Sequence, residues 1–311
     1  NSVMAPLGLV ILFLAGVAPL LEWRQMDRRK AFRAVSGPLL AAIVSAPFLF
    51  ALSQKHTGAA TAFALCVLMV LGVVQLFAKG TVARCKATGE KPLSAFFNLL
   101  TSNRRSYGAY IIHLGLAALF VGLTGSSVFK IERDPVLMHP GDIMQIGEYT
   151  LKYTGLEIPD PMPKDKDGEV GARMLLAVNG VPLKDRKGNP VSLFPFVDFY
   201  KPNAEAAQTM PGQGEQAAKR PAIHKTISND LYLALVDFDR NNNTASIKAY
   251  LNPLVAWVWI SVGIFLAGTV ISMWPQARRV RRAPEIPEKG QRRIASQHQS
   301  AETEPEKTQT S

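Results

Sequence analysis

Apolar residues gather into five long runs along the chain, at 4–21, 38–52, 59–78, 107–124 and 253–274. A helix needs about 20 mostly apolar residues to cross the roughly 30 Å hydrocarbon layer of a bilayer. Four runs approach or reach that length, and the second is short for a span. The pattern predicts a polytopic α-helical membrane protein with about five transmembrane helices. Pro19 and Pro47 fall inside two of the runs, where neighbouring helices can tolerate a kink.

After Ser127 the period changes from helical to alternating. Residues 142–156, 173–178, 191–200, 230–238 and 244–250 are rich in β-branched and aromatic side chains. Turn clusters separate them: Asn179-Gly180, Lys187-Gly188-Asn189-Pro190 and the run 239–243. Such a segment folds as an inserted all-β domain of about five to seven strands, a sandwich or a partly closed barrel. The Pro- and charge-rich stretch 159–168 and the Ala/Gln/Gly-rich stretch 202–220 are expected as mobile loops. The expected division is a membrane domain at 1–125 with four helices, a β-rich domain at 126–250, a last transmembrane helix at 251–275 and a basic, disordered tail at 276–311.

Charge sets the orientation of these pieces. The net +11 might suggest a nucleic-acid partner. Its distribution argues instead for a membrane protein with no nucleic acid. The stretch 22–35 carries about +3, the stretch 79–105 about +5 and the tail about +3, whereas 126–250 is near neutral. The positive-inside rule places the basic loops and the C-terminus in the cytoplasm and the β-rich segment outside, in the periplasm of a bacterial inner membrane. Five spans with an outside N-terminus satisfy every loop. The chain begins at Asn1 with an apolar span and no basic leader, so it is expected to be the C-terminal part of a longer polytopic protein, or of a divided one. Within 93–100, Phe96, Phe97, Leu99 and Leu100 are expected to lie on the membrane surface beside Arg104 and Arg105.

The fourth run holds the chemistry. From Arg104 it crosses about nineteen mostly apolar residues, roughly 28 Å of helix. Gly108, Gly115 and Gly122 recur every seven residues and form a stripe where another backbone could approach closely. On another side lie Ala109, His113, Ala117, Phe120 and Thr124 at helical spacing. An ionisable residue at membrane depth is a functional candidate by default. His113 has two readings that weigh about equally: a hydrogen bond to a neighbouring helix, or ligation of a group seated beside it. The alanines one turn before and after His113 would leave room for something flat.

Elsewhere the chemistry is sparse. Cys66 lies in the third run and Cys85 in a basic loop, with no CxxC, which argues against a disulfide or thiolate site. His56 reads as a solvated loop residue. His139 and His224 lack a second ligand at a recurring metal spacing. No phosphate-binding loop or enzyme signature stands out in the β-rich segment. Pro253 suits the first turn of the last span. Trp257 and Trp259 fit an interfacial anchor better than the lining of an outward-facing site.

The residues Asn103-Arg104-Arg105, Tyr107-Gly108, His113-Leu114-Gly115 and Thr124-Gly125-Ser126-Ser127 together resemble the C-terminal part of the CcmF family. Asp230-Leu231-Tyr232 and Asn252-Pro253-Leu254-Val255 followed by Trp257 and Trp259 resemble its later landmarks, in the same order. The resemblance covers nearly the whole chain apart from the basic tail. It implies a membrane subunit of the System I heme lyase, which attaches heme to the Cys-X-X-Cys-His motif of apocytochrome c. It implies as partners the N-terminal half of CcmF, the heme chaperone CcmE, and CcmH and CcmI, within membrane lipid. It implies heme b as cofactor, with His113 as an axial iron ligand and the second ligand outside this chain; the helical spacing then sets Ala109, Ala117 and Phe120 beside the macrocycle. The Trp-rich heme-handling motif of the family's N-terminal half does not occur in the sequence, so activity of this piece alone does not follow. A non-catalytic assembly module, whose β-domain docks partner proteins, is the competing reading. A transporter fits least, since the spans lack paired charges or broken helices in matching halves.

Overall fold

The protein is seen here as a computed structural model that describes residues 3–21, 27–158, 168–200 and 216–275. The expected tail at 276–311 and most of the two expected mobile loops lie outside the described residues. Helix α1 (Met4–Val17) passes into a 3-10 turn at Ala18–Leu20, with Pro19 inside the turn. Four further helices are α2 (Arg28–Leu52), α3 (Thr57–Thr88), α4 (Pro92–Ser102) and α5 (Arg104–Val128). The last is α6 (Val255–Met273). By length and composition α2, α3, α5 and α6 can cross a membrane, while α1 with its turn falls short. The expected first span is thus a shorter apolar helix. It ends where Pro19, which has no N–H to donate, interrupts the helical bonding.

Two spans run longer than their apolar cores. The part of the basic stretch from Arg28 to Val35, expected as a loop, forms the first turns of α2, because Arg and Lys are good helix formers whose aliphatic stems tolerate an apolar neighbourhood. Helix α3 likewise continues past Ala78 and stops at Gly89, whose φ of +70° supplies the left-handed cap. There Arg84 Nε lies 3.0 Å from Glu90 Oε2, and Asn98 Nδ2 on α4 donates to the same oxygen at 3.1 Å. Helix α4 tucks Ala95 inward and packs Phe96 on Phe77 of α3 at 5.4 Å between ring centres. Leu93 and Phe97 stay exposed.

The closest helix packing joins α5 to α6. A Cβ added to Gly108 would lie 2.6 Å from the backbone nitrogen of Ser272 and 2.7 Å from the carbonyl of Gly268. One added to Gly122 would lie 2.9 Å from the nitrogen of Val258. Gly115 faces Phe265. The heptad glycine stripe therefore brings two backbones into direct contact, as small residues do in membranes. Helix α3 covers another side of α5, with Phe77 against Tyr107 at 5.1 Å and the Cys66 thiol donating to the Ala117 carbonyl at 3.6 Å.

Between α5 and α6 the chain forms two antiparallel sheets. One has the order β1 (Ile131–Met138), β11 (Thr244–Pro253), β10 (Asn229–Asp239), β9 (Ala222–Lys225). The other has the order β2 (Ile143–Ile146), β3 (Tyr149–Glu157), β4 (Gly168–Val178), β7 (Phe196–Tyr200), β8 (Gln216–Arg220). Short strands β5 (Val181–Pro182) and β6 (Ser192–Leu193) pair with β4. Alternate residues of both sheets meet in one core that includes Ile146, Leu151, Tyr153, Met174, Leu231, Leu233, Leu235 and Ile247. Two facing sheets over a shared core are a sandwich. Asn179 and Gly180, both at positive φ, form the two-residue turn of the β4–β5 hairpin, as their sequence requires. Asn243 closes β10 to β11 and ties the sheets together. Its side-chain oxygen accepts the Leu156 N–H at 2.8 Å and its carbonyl accepts the Tyr153 hydroxyl at 3.2 Å.

Two strands escape the alternation rule. The β1 sequence is mostly exposed, and its ladder with β11 slips between Arg133 and Val136, around Pro135, as a proline in an edge strand requires. Strand β8 falls in the stretch expected to be mobile. Arg220 at its end pairs with Glu169 at 2.6 Å and Asp198 at 3.2 Å, and both carboxylates are buried.

The joint between sandwich and α6 also departs from expectation. Pro253 ends β11 rather than starting the helix. Leu254, at φ +61°, makes the turn; its N–H donates to Ser228 at 2.8 Å and its carbonyl accepts from Trp257 at 3.0 Å. Its side chain lies over Gly125, so packing on α5 holds a conformation that is unfavourable for a branched residue.

Two expectations follow. Gly108→Val places methyl groups where the α6 backbone runs, and overpacking of this kind costs about 1–3 kcal/mol or more. The variant should melt well below the parent in detergent, whereas Gly263→Val, which meets nothing nearby, should not; equal melting of the two would contradict the close seam. In the sandwich, burial holds the Asp230 carboxyl above its ordinary range, ahead of the opposing effects of Lys225, the Thr226 backbone and His224. A raised folded-state value favours folding below the unfolded value and loses that benefit as pH rises through the folded one. Asp230→Asn should therefore raise the melting temperature near pH 7, and the gap should close as pH falls towards 4.

Candidate functional site

His113 lies two residues before Gly115, about 200° around α5 from the seam with α6. Its ring nitrogen Nδ1 sits 2.7 Å from the carbonyl oxygen of Ala109, one turn back on the same helix. A carbonyl can only accept, so Nδ1 carries a proton, and in the neutral ring Nε2 then presents its lone pair. Nε2 has no hydrogen-bond partner among the described residues, and the side chain is half-buried. The hydrogen bond to a neighbouring helix that one reading called for is absent among them; the bond made is local. A local bond of this kind orients the ring and, in the neutral imidazole, fixes the tautomer, as second-shell hydrogen bonds do for metal-ligating histidines.

The other residues expected beside His113 divide. Ala109 and Phe120 are half-buried, and Ala109 also orients the ring through its carbonyl. Ala117 is 2% exposed and packs with Leu12, Cys66 and Met69 of α1 and α3. The open space expected over Ala117 is filled by these helices, since an alanine admits close approach from protein as readily as from a ligand. Phe120 and Thr124 line a cavity of about 470 Å³ between α1, α3 and α5, with His56 at its rim. His56, read from sequence as a plain loop residue, precedes α3, and its carbonyl accepts the Ser53 hydroxyl at 3.2 Å. Nothing in its short polar loop signals that rim position, which arises from how α1 and α5 pack.

The other two histidines among the described residues belong to the sandwich. His139 faces Asp142 at 3.4 Å in an exposed turn, and His224 meets the Tyr149 ring edge-on at 6.0 Å. Among the described residues no three His, Cys, Asp or Glu side chains gather as a metal cluster. His113 alone can then bind a metal only as one ligand of a preformed complex, completed by donors from elsewhere. Trp259 is 70% exposed and Trp257 37%, on the first turns of α6.

Helices long and apolar enough to span a bilayer, with a two-sheet sandwich inserted between the last two, define the chain as a polytopic α-helical membrane protein. The chain is similar to CcmF proteins over about nine-tenths of its length, as its motifs suggest. It is 27% identical over 282 residues to the cytochrome c-type biogenesis protein CcmF of Haemophilus influenzae, covering 89% of this chain and 38% of that protein. It is 24% identical over 289 residues to CcmF of Escherichia coli, covering 92% of this chain and 38% of that one. A solved structure of the cytochrome c heme lyase CcmF superposes with a TM-score of 0.62 and 25% identity, covering 88% of this chain and 40% of that one. No family model matches the chain. The chain thus spans about two fifths of the length of these relatives.

The packing of Ala117 yields a direct expectation. Ala117→Phe should lower the melting temperature, by an overpacking cost of about 1–3 kcal/mol, whether or not any cofactor is bound. Ala109→Phe, on a half-buried position, should leave stability within about 0.5 kcal/mol of the parent. Differential scanning fluorimetry in detergent distinguishes them; equal losses would contradict the assignment of Ala117 alone to the helix interior.

Proposed function

We propose that this chain is the C-terminal portion of a cytochrome c heme lyase and contributes one axial ligand, His113, to a heme b held in the membrane. The observation that carries this reading is the His113 Nδ1–H bond to Ala109, which leaves Nε2 as a free donor on a membrane helix. The similarity to proteins named for cytochrome c biogenesis supports the same group. When bound, heme supplies an iron centre whose potential and spin state are set by its axial ligands. On the protein side, the Ala109 carbonyl fixes the imidazole tautomer, α6 anchors the opposite side of α5, and Ala109 and Phe120 border the macrocycle. Ala117 holds α5 against α1 and α3 behind it. The second axial ligand comes from the N-terminal half of CcmF.

In this reading the sandwich lies in the periplasm and the C-terminus in the cytoplasm of a bacterial inner membrane, as the basic loops require. The heme chaperone CcmE delivers the heme that is finally joined to the Cys-X-X-Cys-His motif of apocytochrome c, with CcmH and CcmI presenting the apoprotein. Thioether formation itself is a property of the assembled lyase, not of this piece.

The test is a visible spectrum of the chain co-purified with the polypeptide that completes CcmF. The parent complex should show reduced b-type bands, and His113→Ala should bring them to background while the protein still inserts and co-purifies. Ala109→Phe should reduce heme occupancy at unchanged stability. Full b-type bands in His113→Ala would reject the ligand assignment and leave the spans as a scaffold for partner docking by the sandwich.

A further inference from the structure

On the face of the β1–β11–β10–β9 sheet turned away from the core lies a pocket of about 420 Å³ lined by Lys130, Lys219, Tyr232, Tyr250 and Asn252. Tyr232 and Tyr250 are direct cross-strand partners on β10 and β11, while their sequence neighbours Leu231, Leu233, Ala249 and Leu251 are buried in the sandwich. The Lys130 ammonium sits 4.9 Å from the centre of the Tyr250 ring, and the Lys248 ammonium flanks the same ring at 5.0 Å. One carboxylate, Glu132, bridges these two lysines, at 3.3 Å to Lys130 and 2.7 Å to Lys248. Lys219 reaches in from β8 and donates to the Val236 carbonyl at 2.9 Å. The lining contains two ammonium groups and no carboxylate, so it favours an anion.

Its height narrows the class of anion. Lys130 follows the end of α5 by two residues, and Asn252 precedes the start of α6 by three. At about 3.3 Å per extended residue, both lie within roughly 10 Å of the helix ends. The polar layer on each side of the hydrocarbon is roughly 5–8 Å thick. The exposed Trp259 on the first turns of α6 marks the same boundary. We propose that this pocket binds the phosphate headgroup of an anionic phospholipid in the leaflet that faces the sandwich, with its acyl chains running down the exposed side of α6. The lysines pair with the phosphate and the tyrosine hydroxyls donate to it or to the glycerol oxygens. Lipid occupancy would then fix the height and tilt of the sandwich above the membrane, independently of what His113 binds.

The experiment places the full chain in phosphatidylcholine nanodiscs containing a small fraction of phosphatidylglycerol and counts retained lipid by native mass spectrometry. The parent should retain phosphatidylglycerol over phosphatidylcholine. Lys130→Gln with Lys219→Gln should weaken that retention about 10- to 30-fold, from roughly fivefold for each lysine near a lipid surface. Lys152→Gln with Lys184→Gln, the same charge change on exposed lysines of β3 and of the β5–β6 connection, should leave it unchanged. Millimolar inorganic phosphate should not displace the lipid. The proposal is overturned if the parent shows no preference between the two lipids, or if both double variants lose it equally. Displacement by phosphate alone would show a free-anion site, and tighter binding of a polyglutamate peptide an acidic-protein surface; either overturns it too.

Discussion

The structure depends on the contact between α5 and α6. Where Gly108 meets Gly268 and Ser272, two helix backbones run side by side with nothing between them. In a bilayer no hydrophobic force drives helices together, so close van der Waals contact must do it. These are the two helices from which the sandwich is suspended. β1 follows α5, β11 leads into α6, and β1 pairs with β11 from Ile131 opposite Leu251 onward. The seam therefore continues as a β-ladder, and Leu254 is held at positive φ where one passes into the other. Loosening the helices would release that turn and the base of the sandwich together.

The seam also decides what the rest of α5 can do. One side is spent on α6 and a second, through Tyr107 and Ala117, on α3 and α1. His113 stands away from the seam, with its tautomer set by its own helix rather than by a neighbour. A helix held on two sides presents its side chains rigidly, so a ligand on it, as proposed for His113, would need little reorganisation when a cofactor binds. The same economy appears in the sandwich, where Asn243 uses a side chain and a backbone carbonyl to hold β3 of the opposite sheet at two points.

Much of this was legible in the residues. The heptad glycines announced a backbone seam, Asn179-Gly180 announced its hairpin, and β10 and β11 alternated from Leu231 to Leu235 and from Ala245 to Leu251. What stayed hidden has physical causes. Helices α2 and α3 outran their apolar cores because basic side chains are compatible with helix at a membrane edge. Strand β1 carries charges and a proline, since among the described residues its outer edge pairs with no strand and only β11 defines it. Pro253 looked like a helix start, but the strand pairing of β11 with β10 extends through it and left Leu254 to turn the chain. At the site, His113 could be singled out from its place in an apolar run, yet Ala117 could not be assigned. A small residue invites close approach, and sequence alone does not say whether a ligand or another helix takes up the invitation.

The account stands on His113 being an iron ligand rather than a packing residue, and chemical rescue tests that most directly. In the complex with the polypeptide proposed to complete the lyase, His113→Gly should lose the b-type spectrum, and added imidazole should restore it by filling the vacated volume with the same donor atom. Bands that survive His113→Gly, or bands lost and never recovered with imidazole in a complex that remains folded, would contradict it.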